Sequence, residues 1–151
     1  MKSTVGLLAI LSLFLGAAHA SDRTAVYALV DKVTLEPNPD HPERIQVSGI
    51  FSMAKTNNPN DYEAAQRGYL YFKLPSGKED LARKEWSDLK SVAGTRQVVA
   101  FGARYQLKGR VRPADEKKDA PDVYQPETGV VKVRSDTDYA PVKALVEASR
   151  R

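Results

Sequence analysis

Stretches in which apolar and polar residues alternate recur along this chain, and they constrain its fold more than any other feature. Alternation with a period of two places the apolar side chains on one face of a β-strand. In residues 68–74, for example, Leu70, Phe72 and Leu74 alternate with polar or amphipathic side chains. Proline, glycine or polar runs end each such segment. The pattern predicts strands over Ala25–Glu36, Arg44–Ala54, Gly68–Leu74, Gln97–Tyr105 and Gly129–Arg134.

The alternation slips by one residue inside the first of these segments. Val30 and Val33 would face opposite sides of a regular strand, although both are apolar. A slip of this kind is typical of a β-bulge, because one extra residue moves all later side chains to the other face. We therefore predict a bulge at Asp31 and Lys32.

Two segments have helical periodicity instead. A helix is predicted from Ser76 or Gly77 to Ala93, because capping and acidic residues begin it and Gly94 follows its last apolar residue. Its apolar residues recur at spacings of four, three and four, at Ala82, Trp86, Leu89 and Ala93. A shorter C-terminal helix is predicted from Pro141, with a narrow apolar stripe formed by Val142, Leu145 and Val146.

The predicted order is thus β-β-β-α-β-β plus a short C-terminal helix, which is mainly β with one packed helix (α+β). This order, with a bulge in the first strand, resembles the OB-fold, a five-stranded, partly open Greek-key barrel. A small sandwich or another open barrel would have the same strand count. Two polar segments, Lys55–Gln66 and Pro113–Thr128, are predicted to be exposed loops.

The first twenty residues have the layout of a cleavable signal peptide. Lys2 precedes an apolar run from Val5 to Gly16, and the small-residue triplet Ala18-His19-Ala20 follows. The run is too short for a transmembrane anchor, which needs about 20 apolar residues. We expect cleavage between Ala20 and Ser21 and a secreted or periplasmic protein. Residues 21–139 are then predicted to form one domain, and residues 140–151 a terminal helix or tail.

The composition excludes several kinds of chemistry. The chain has no cysteine, and His41 is the one histidine beyond the leader. Multi-histidine or cysteine metal sites, iron–sulfur clusters and cysteine nucleophiles are therefore excluded, and no metal, cofactor or catalytic residue is predicted. A serine hydrolase built on His41 and Asp40 lacks a nucleophile motif. The 23 basic and 19 acidic residues nearly balance, so charge alone does not indicate a polyanionic partner.

The third predicted strand carries the best candidate contact surface. With its apolar residues in the core, Tyr69, Tyr71 and Lys73 would stand on the outer face, beside Arg44 and Gln46 of the second strand. The resemblance to the OB-fold implies that this face, flanked by Asn57–Asp61 and Pro113–Thr128, binds a ligand, because aromatic rings stack on flat ligands and cations bind polar groups. The alternative is that the tyrosines cover a neighbouring loop or helix.

A second candidate is a basic patch formed by Lys108, Arg110 and Arg112, which alternate on one predicted strand face. Such a row suits phosphates or an anionic membrane surface, although it is also typical of a solvated face. Export disfavours nucleic acid as the natural partner. The acidic segments Asn57–Asp61 and Asp136–Asp138 lack the spacing of a calcium loop and are predicted to be turns.

These observations favour an exported, non-enzymatic binding or accessory module that recognises a protein or a cell-envelope glycan. One alternative is a structural component that self-associates into an oligomer or filament through the stripe at Val142, Leu145 and Val146, which must be buried somewhere. A third hypothesis is a cofactor-free hydrolase that uses two carboxylates.

Overall fold

The computed structural model of the chain describes residues 23–36, 44–55, 58–73, 79–105, 111–113, 123–127 and 129–151. The predicted leader, its cleavage site, Asp40, His41, Lys108 and Arg110 lie outside these residues. The structure is mainly β-sheet with two helices, in the predicted α+β class. In chain order the elements are β1 (Arg23–Glu36), β2 (Arg44–Lys55), β3 (Asn58–Tyr62), β4 (Gln66–Lys73), α1 (Glu79–Val92), β5 (Val98–Tyr105), β6 (Val123–Pro126), β7 (Val131–Val133) and α2 (Ala140–Ala148).

The bulge predicted in the first strand is confirmed. In the antiparallel pair of β1 and β2, Val30 lies opposite Gly49 and Lys32 lies opposite Ser48, so Asp31 is the additional residue. The Asp31 carboxylate accepts a hydrogen bond from Arg67 of β4 at 2.5 Å. The bulge therefore changes which side chains face the core halfway along β1, as the slip in the alternation predicts.

The strands form one curled sheet. Its order is β1-β2-β4-β6-β5-β7, with β3 paired to β2 and a further pairing between β1 and β5. The curl brings Phe72 of β4 edge-to-face against Phe101 of β5, with ring centroids 5.0 Å apart, although these two strands are not paired. The two side chains therefore meet across the concave face of the sheet.

The sheet is open and not a closed barrel, so the predicted barrel is not confirmed, and the pairing between β4 and β6 is short. These strands meet in only two parallel residue pairs, Tyr71 with Val123 and Phe72 with Tyr124. Among the described residues, the rest of this edge of β4 has one isolated bridge, between Tyr69 and Arg112. The strand pairings thus form a curled, open sheet, and the chain is mainly β with two helices.

Two short strands lie in segments predicted to be loops. β3 falls within Lys55–Gln66, and β6 falls within Pro113–Thr128. Neither segment has the apolar alternation from which strands are predicted. Each is a strand because its backbone pairs with the edge of a longer strand. β3 pairs with the end of β2, and the Glu63 amide next to it donates to the Met53 carbonyl at 2.6 Å. In β3, whose residues Asn60, Asp61 and Tyr62 are exposed, backbone pairing rather than side-chain burial forms the strand.

The concave face of the sheet and α1 enclose the larger core. Leu89 and Val92 of α1 are buried against the sheet, and the helix ends as predicted, with Gly94 at a φ of 75°. Trp86 is only partly buried, and the Lys90 ammonium lies 5.2 Å from its ring centroid. The core from the strands consists of Val26, Ala28, Val30, Ile45, Val47, Phe51, Met53, Leu70, Phe72, Val99, Phe101 and Ala103, joined by Val111.

A second, smaller core lies between α2 and the outer face of the sheet. Val142 and Leu145 of α2 are fully buried there, together with Leu29, Ile50 and Val98 from three strands. The rings of Tyr27 and Tyr139 meet beside it at 5.2 Å. The apolar stripe that motivates the self-association hypothesis is therefore buried within its own chain. Neither of the two helices in the described part of the chain has the length and apolarity needed to cross a bilayer.

Candidate functional site

The register of β2 and β4 brings together the side chains predicted to form the contact surface. Arg44 lies opposite Lys73, Gln46 opposite Tyr71, and Ser48 opposite Tyr69. Directly opposed residues of an antiparallel pair project to the same face. The intervening residues of both strands, Ile45, Val47, Leu70 and Phe72, belong to the core on the other face. The predicted juxtaposition of the five residues on one outer face is thus present.

Tyr71 is the centre of this group. The Arg44 guanidinium lies over the Tyr71 ring, with its Cζ 4.2 Å from the ring centroid. The Gln46 amide donates a hydrogen bond from Nε2 to the Tyr71 hydroxyl at 3.3 Å. Tyr69 meets the same ring edge-to-face, with 5.5 Å between centroids. A cation–π contact shielded from water stabilises by about 2 kcal/mol, so the group is held in one arrangement.

Arg112 joins the group from another part of the chain. Its backbone and that of Tyr69 exchange two hydrogen bonds, each 3.0 Å long. The approach requires Gly68, because a Cβ atom there would lie 2.0 Å from the Arg112 carbonyl oxygen. We call Arg44, Gln46, Tyr69, Tyr71 and Arg112 the arginine–tyrosine cluster.

The cluster is covered, which corrects the prediction that its tyrosines stand exposed. Tyr69 is 4% exposed, Tyr71 1% and Arg44 6%. Gln46 is half-buried and Lys73 is exposed. Alternation correctly assigned these residues to the outer face, but it cannot show whether a distant segment lies over that face. Lys73 and Gln46 are therefore the accessible residues of the predicted surface, while the tyrosines and Arg44 are buried beside them.

The predicted basic patch is corrected in the same way. Arg112 is 7% exposed, so it does not lie on a solvated face, and Lys108 and Arg110 are outside the described residues. Arg112 pairs with Tyr69 through its backbone, which explains its burial. This residue belongs to the arginine–tyrosine cluster and not to an open phosphate-binding row.

Carboxylates are the remaining candidates for catalytic or metal-binding residues. Glu85 on α1 is 1% exposed, its two carboxylate oxygens have no hydrogen-bond partner among the described residues, and burial raises its pKa to about 7. Burial and the nearby Asp61 also raise the pKa of Glu63. No group of three or more acidic or histidine side chains that could hold a metal ion occurs within the described ranges.

The two acidic segments also differ from a cation site. Residues 58–61 of the first belong to β3 and not to the predicted turn, and Asp61 forms an ion pair with Lys55 at 3.0 Å. Asp136 accepts hydrogen bonds from Arg134, and Asp138 forms an ion pair with Lys143 at 2.8 Å. These hydrogen bonds lower the pKa of both carboxyl groups. Each of these carboxylates is already paired with a cation, in agreement with the prediction that this segment is a turn.

An open groove lies at another place, between the turn before β5 and the end of β7. It has a volume of about 330 Å³ and is lined by Arg96, Gln97, Lys132, Arg134, Ser135 and Asp136, among others. No sequence pattern predicts this groove, because its lining residues come from two segments about 35 positions apart. One local feature of the backbone stands out there. Arg96, two residues after Gly94, has a φ of 58°.

The chain matches no protein-family model, no curated protein and no solved structure, so its function has to be argued from its own residues.

Proposed function

We propose that this chain is a small, exported, non-enzymatic binding module of the OB type, which recognises a protein or a cell-envelope glycan through the outer face of β2 and β4. Two pairings support the OB type, β1 with β5 and β4 with β6 in parallel, and so does the place of α1 between β4 and β5 in the chain. With the short β3 set aside, β2 and β4 correspond to the second and third strands, whose face binds ligands in OB-folds. The layout of residues 1–20 supports export.

The observation that carries the proposal is the arginine–tyrosine cluster, in which Gln46 is the accessible member and which lies beside the exposed Lys73. Burying guanidinium, amide and phenol groups costs more than burying aliphatic side chains of the same size. Sequences that fold well depart from an apolar interior mainly at functional sites. Here the polar groups hold the Gln46 amide against the Tyr71 hydroxyl, at 3.3 Å. A side chain fixed in this way loses little entropy when a partner binds.

The accessible chemistry on this face is an ammonium group, an amide and the hydroxyl of the half-buried Ser48. These groups donate hydrogen bonds to carboxylates and to sugar hydroxyls. Carboxylates are found on exposed protein surfaces, and sugar hydroxyls are found on cell-envelope glycans. Export disfavours nucleic acid as the natural ligand.

Neither alternative has comparable support from the described residues. A hydrolase that uses carboxylates needs two of them in a cleft, whereas Glu85 is 1% exposed and opens to no substrate. Self-association through the α2 stripe is not supported by an exposed apolar surface, because Val142 and Leu145 are fully buried in the second core.

The test compares the purified protein with Lys73→Ala, Gln46→Ala and Tyr71→Phe. Binding is measured on an array of bacterial glycans and by pull-down from an envelope fraction. Lys73→Ala and Gln46→Ala should weaken the same interaction at least about tenfold. Tyr71→Phe keeps the ring beneath Arg44 but removes the hydroxyl that orients Gln46, so it should give a smaller loss.

Arg83→Ala is the matched control, because it removes an exposed cation on α1. This variant should bind as the wild type does. If Lys73→Ala, Gln46→Ala and Tyr71→Phe all retain every detected interaction, the outer face of β2 and β4 is not the binding surface.

A further inference from the structure

We propose that the groove between the turn before β5 and the end of β7 binds a phosphate group. This inference is separate from the proposed function, since it concerns other residues on another part of the sheet. The groove is lined by Arg96, Lys132 and Arg134, with Asp136 as its one acidic residue. Its volume of about 330 Å³ is in the range of small-ligand sites, so it has room for a phosphate and the group attached to it.

Two of the three cations are available to a ligand. Arg96 and Lys132 are exposed, and neither forms an ion pair or a side-chain hydrogen bond with any described residue. Arg134 is different, because its Nε and Nη2 atoms donate to both Asp136 carboxylate oxygens, at 2.9 and 2.5 Å. The groove therefore has an excess of positive charge that its own carboxylate does not neutralise. Guanidinium and ammonium groups are the side chains that bind phosphate oxygens.

The turn that carries Arg96 is held in place from several sides. The Gly94 amide donates to the Val30 carbonyl of β1 at 2.8 Å. The Thr95 hydroxyl donates to the Val92 carbonyl at 2.7 Å and accepts the Gln97 amide at 3.3 Å. These bonds join the turn to α1, to β1 and to the start of β5, so Arg96 projects from a fixed backbone.

Arg96 is held in a conformation that does not suit an arginine. Its φ of 58° lies in the left-handed region, which is unfavourable for a residue with a Cβ atom and favourable for glycine. Strained backbone of this kind is found preferentially at binding sites. Since glycine would relieve the strain at this position, a role for the guanidinium accounts for the arginine.

The opposite wall is built by register. Val133 of β7 lies opposite Val98 of β5, and Lys132 lies opposite Val99. Lys132 and Arg134 are two residues apart, so they project to the same side of the β7 segment. Pairing with β5 thus places both cations beside the Arg96 turn, although they are distant from it in sequence.

The test measures binding of inorganic phosphate and tripolyphosphate to the purified full chain by calorimetry. Arg96→Gly removes the guanidinium and suits the backbone, so the variant should fold at least as well as the wild type. Arg96→Gly and Lys132→Gln should each weaken binding about tenfold. Asp136→Asn releases Arg134 from its carboxylate partner and should tighten binding several-fold, which general loss of structure cannot do.

Arg83→Gln is the control, because it removes the same charge from an exposed site on α1 outside the groove and should leave binding unchanged. Vesicles of phosphatidylglycerol and of phosphatidylcholine distinguish the source of the phosphate. Co-sedimentation with phosphatidylglycerol alone that Arg96→Gly abolishes identifies a lipid headgroup, and binding of the soluble probes alone identifies a free phosphate compound. Absence of binding to all probes, or equal losses in Arg83→Gln and Arg96→Gly, would overturn the proposal.

Discussion

At the scale of single residues, Glu85 is notable because an ionisable side chain is buried in the core. Residues 85, 89 and 92 follow the spacing of one helix face, and Glu85, Leu89 and Val92 are all buried. The face of α1 that enters the core is thus rotated from the predicted stripe, which is centred on Trp86. Burial disfavours the charged carboxylate and raises the pKa of Glu85 from its ordinary value near 4.5 to about 7.

Stability should consequently fall as the pH rises from about 5 to 8. The folded state binds the Glu85 proton more tightly than the unfolded state does, so unfolding releases it anywhere between the two pKa values. Below this window both states are protonated, and above it the penalty is complete, at about 3 kcal/mol. Urea unfolding at pH 5 and pH 8 should show this loss in the wild type.

Glu85→Gln should remove most of the dependence on pH, because an amide does not titrate. Glu63, whose pKa is also raised, should leave a smaller slope. Glu147→Gln, an exposed substitution on α2, should behave as the wild type does. A pH dependence unchanged in Glu85→Gln would show that this carboxyl is not desolvated.

At the scale of elements, backbone hydrogen bonds join segments of the sheet where little apolar surface is buried. Tyr69 and Arg112 pair through two backbone hydrogen bonds on the edge of β4 that also carries its short pairing with β6. Gly68 permits this contact because it has no side chain. The bridge anchors Arg112 in the arginine–tyrosine cluster, so backbone geometry at a glycine determines which side chains form the site.

Gly68→Ala should therefore destabilise the protein by about 2 kcal/mol or more, since its Cβ atom would overlap the Arg112 carbonyl. Gly129→Ala adds the same methyl group where no heavy atom lies within 4 Å. Its effect should stay within about 0.5 kcal/mol. Urea unfolding compares the two variants, and hydrogen exchange of the Tyr69 and Arg112 amides reports on the bridge. Equal stability of both variants would contradict the close approach.

At the scale of the whole molecule, the sheet has an apolar core on each face. The concave face encloses the larger core with α1, and α2 covers Leu29, Ile50 and Val98 on the outer face. The C-terminal residues are therefore part of the packed structure rather than a tail. Since a single sheet with an uncovered apolar face would associate with other chains, α2 keeps this surface inside the molecule.

Leu145→Ala should lower stability by about 2 to 4 kcal/mol, because Leu145 is fully buried in the second core. Glu147→Ala, on the exposed side of the same helix, should change stability by less than about 0.5 kcal/mol. Deletion of residues 140–151 should expose the outer core and cause association in size-exclusion chromatography. A deleted protein that stays monomeric with an unchanged melting temperature would show that α2 does not cover the sheet.

Elements whose side chains alternate or repeat with a regular period are predictable from local sequence. The long strands, the bulge near Asp31, the end of α1 before Gly94 and the start of α2 near Pro141 are all present close to their predicted bounds. These features depend on neighbouring residues, because period, capping and proline act within a few positions of the chain. The same local pattern placed Arg44, Gln46, Tyr69, Tyr71 and Lys73 on one face.

Features that depend on residues far apart in the chain become visible only when the chain is folded. β3 and β6 exist because earlier strands offer them an edge, and the tyrosines are covered although alternation placed them outside. Arg96 and Lys132 meet at one groove through the pairing of β5 with β7. Burial and proximity of this kind arise when distant segments pack, and no period in the sequence encodes them.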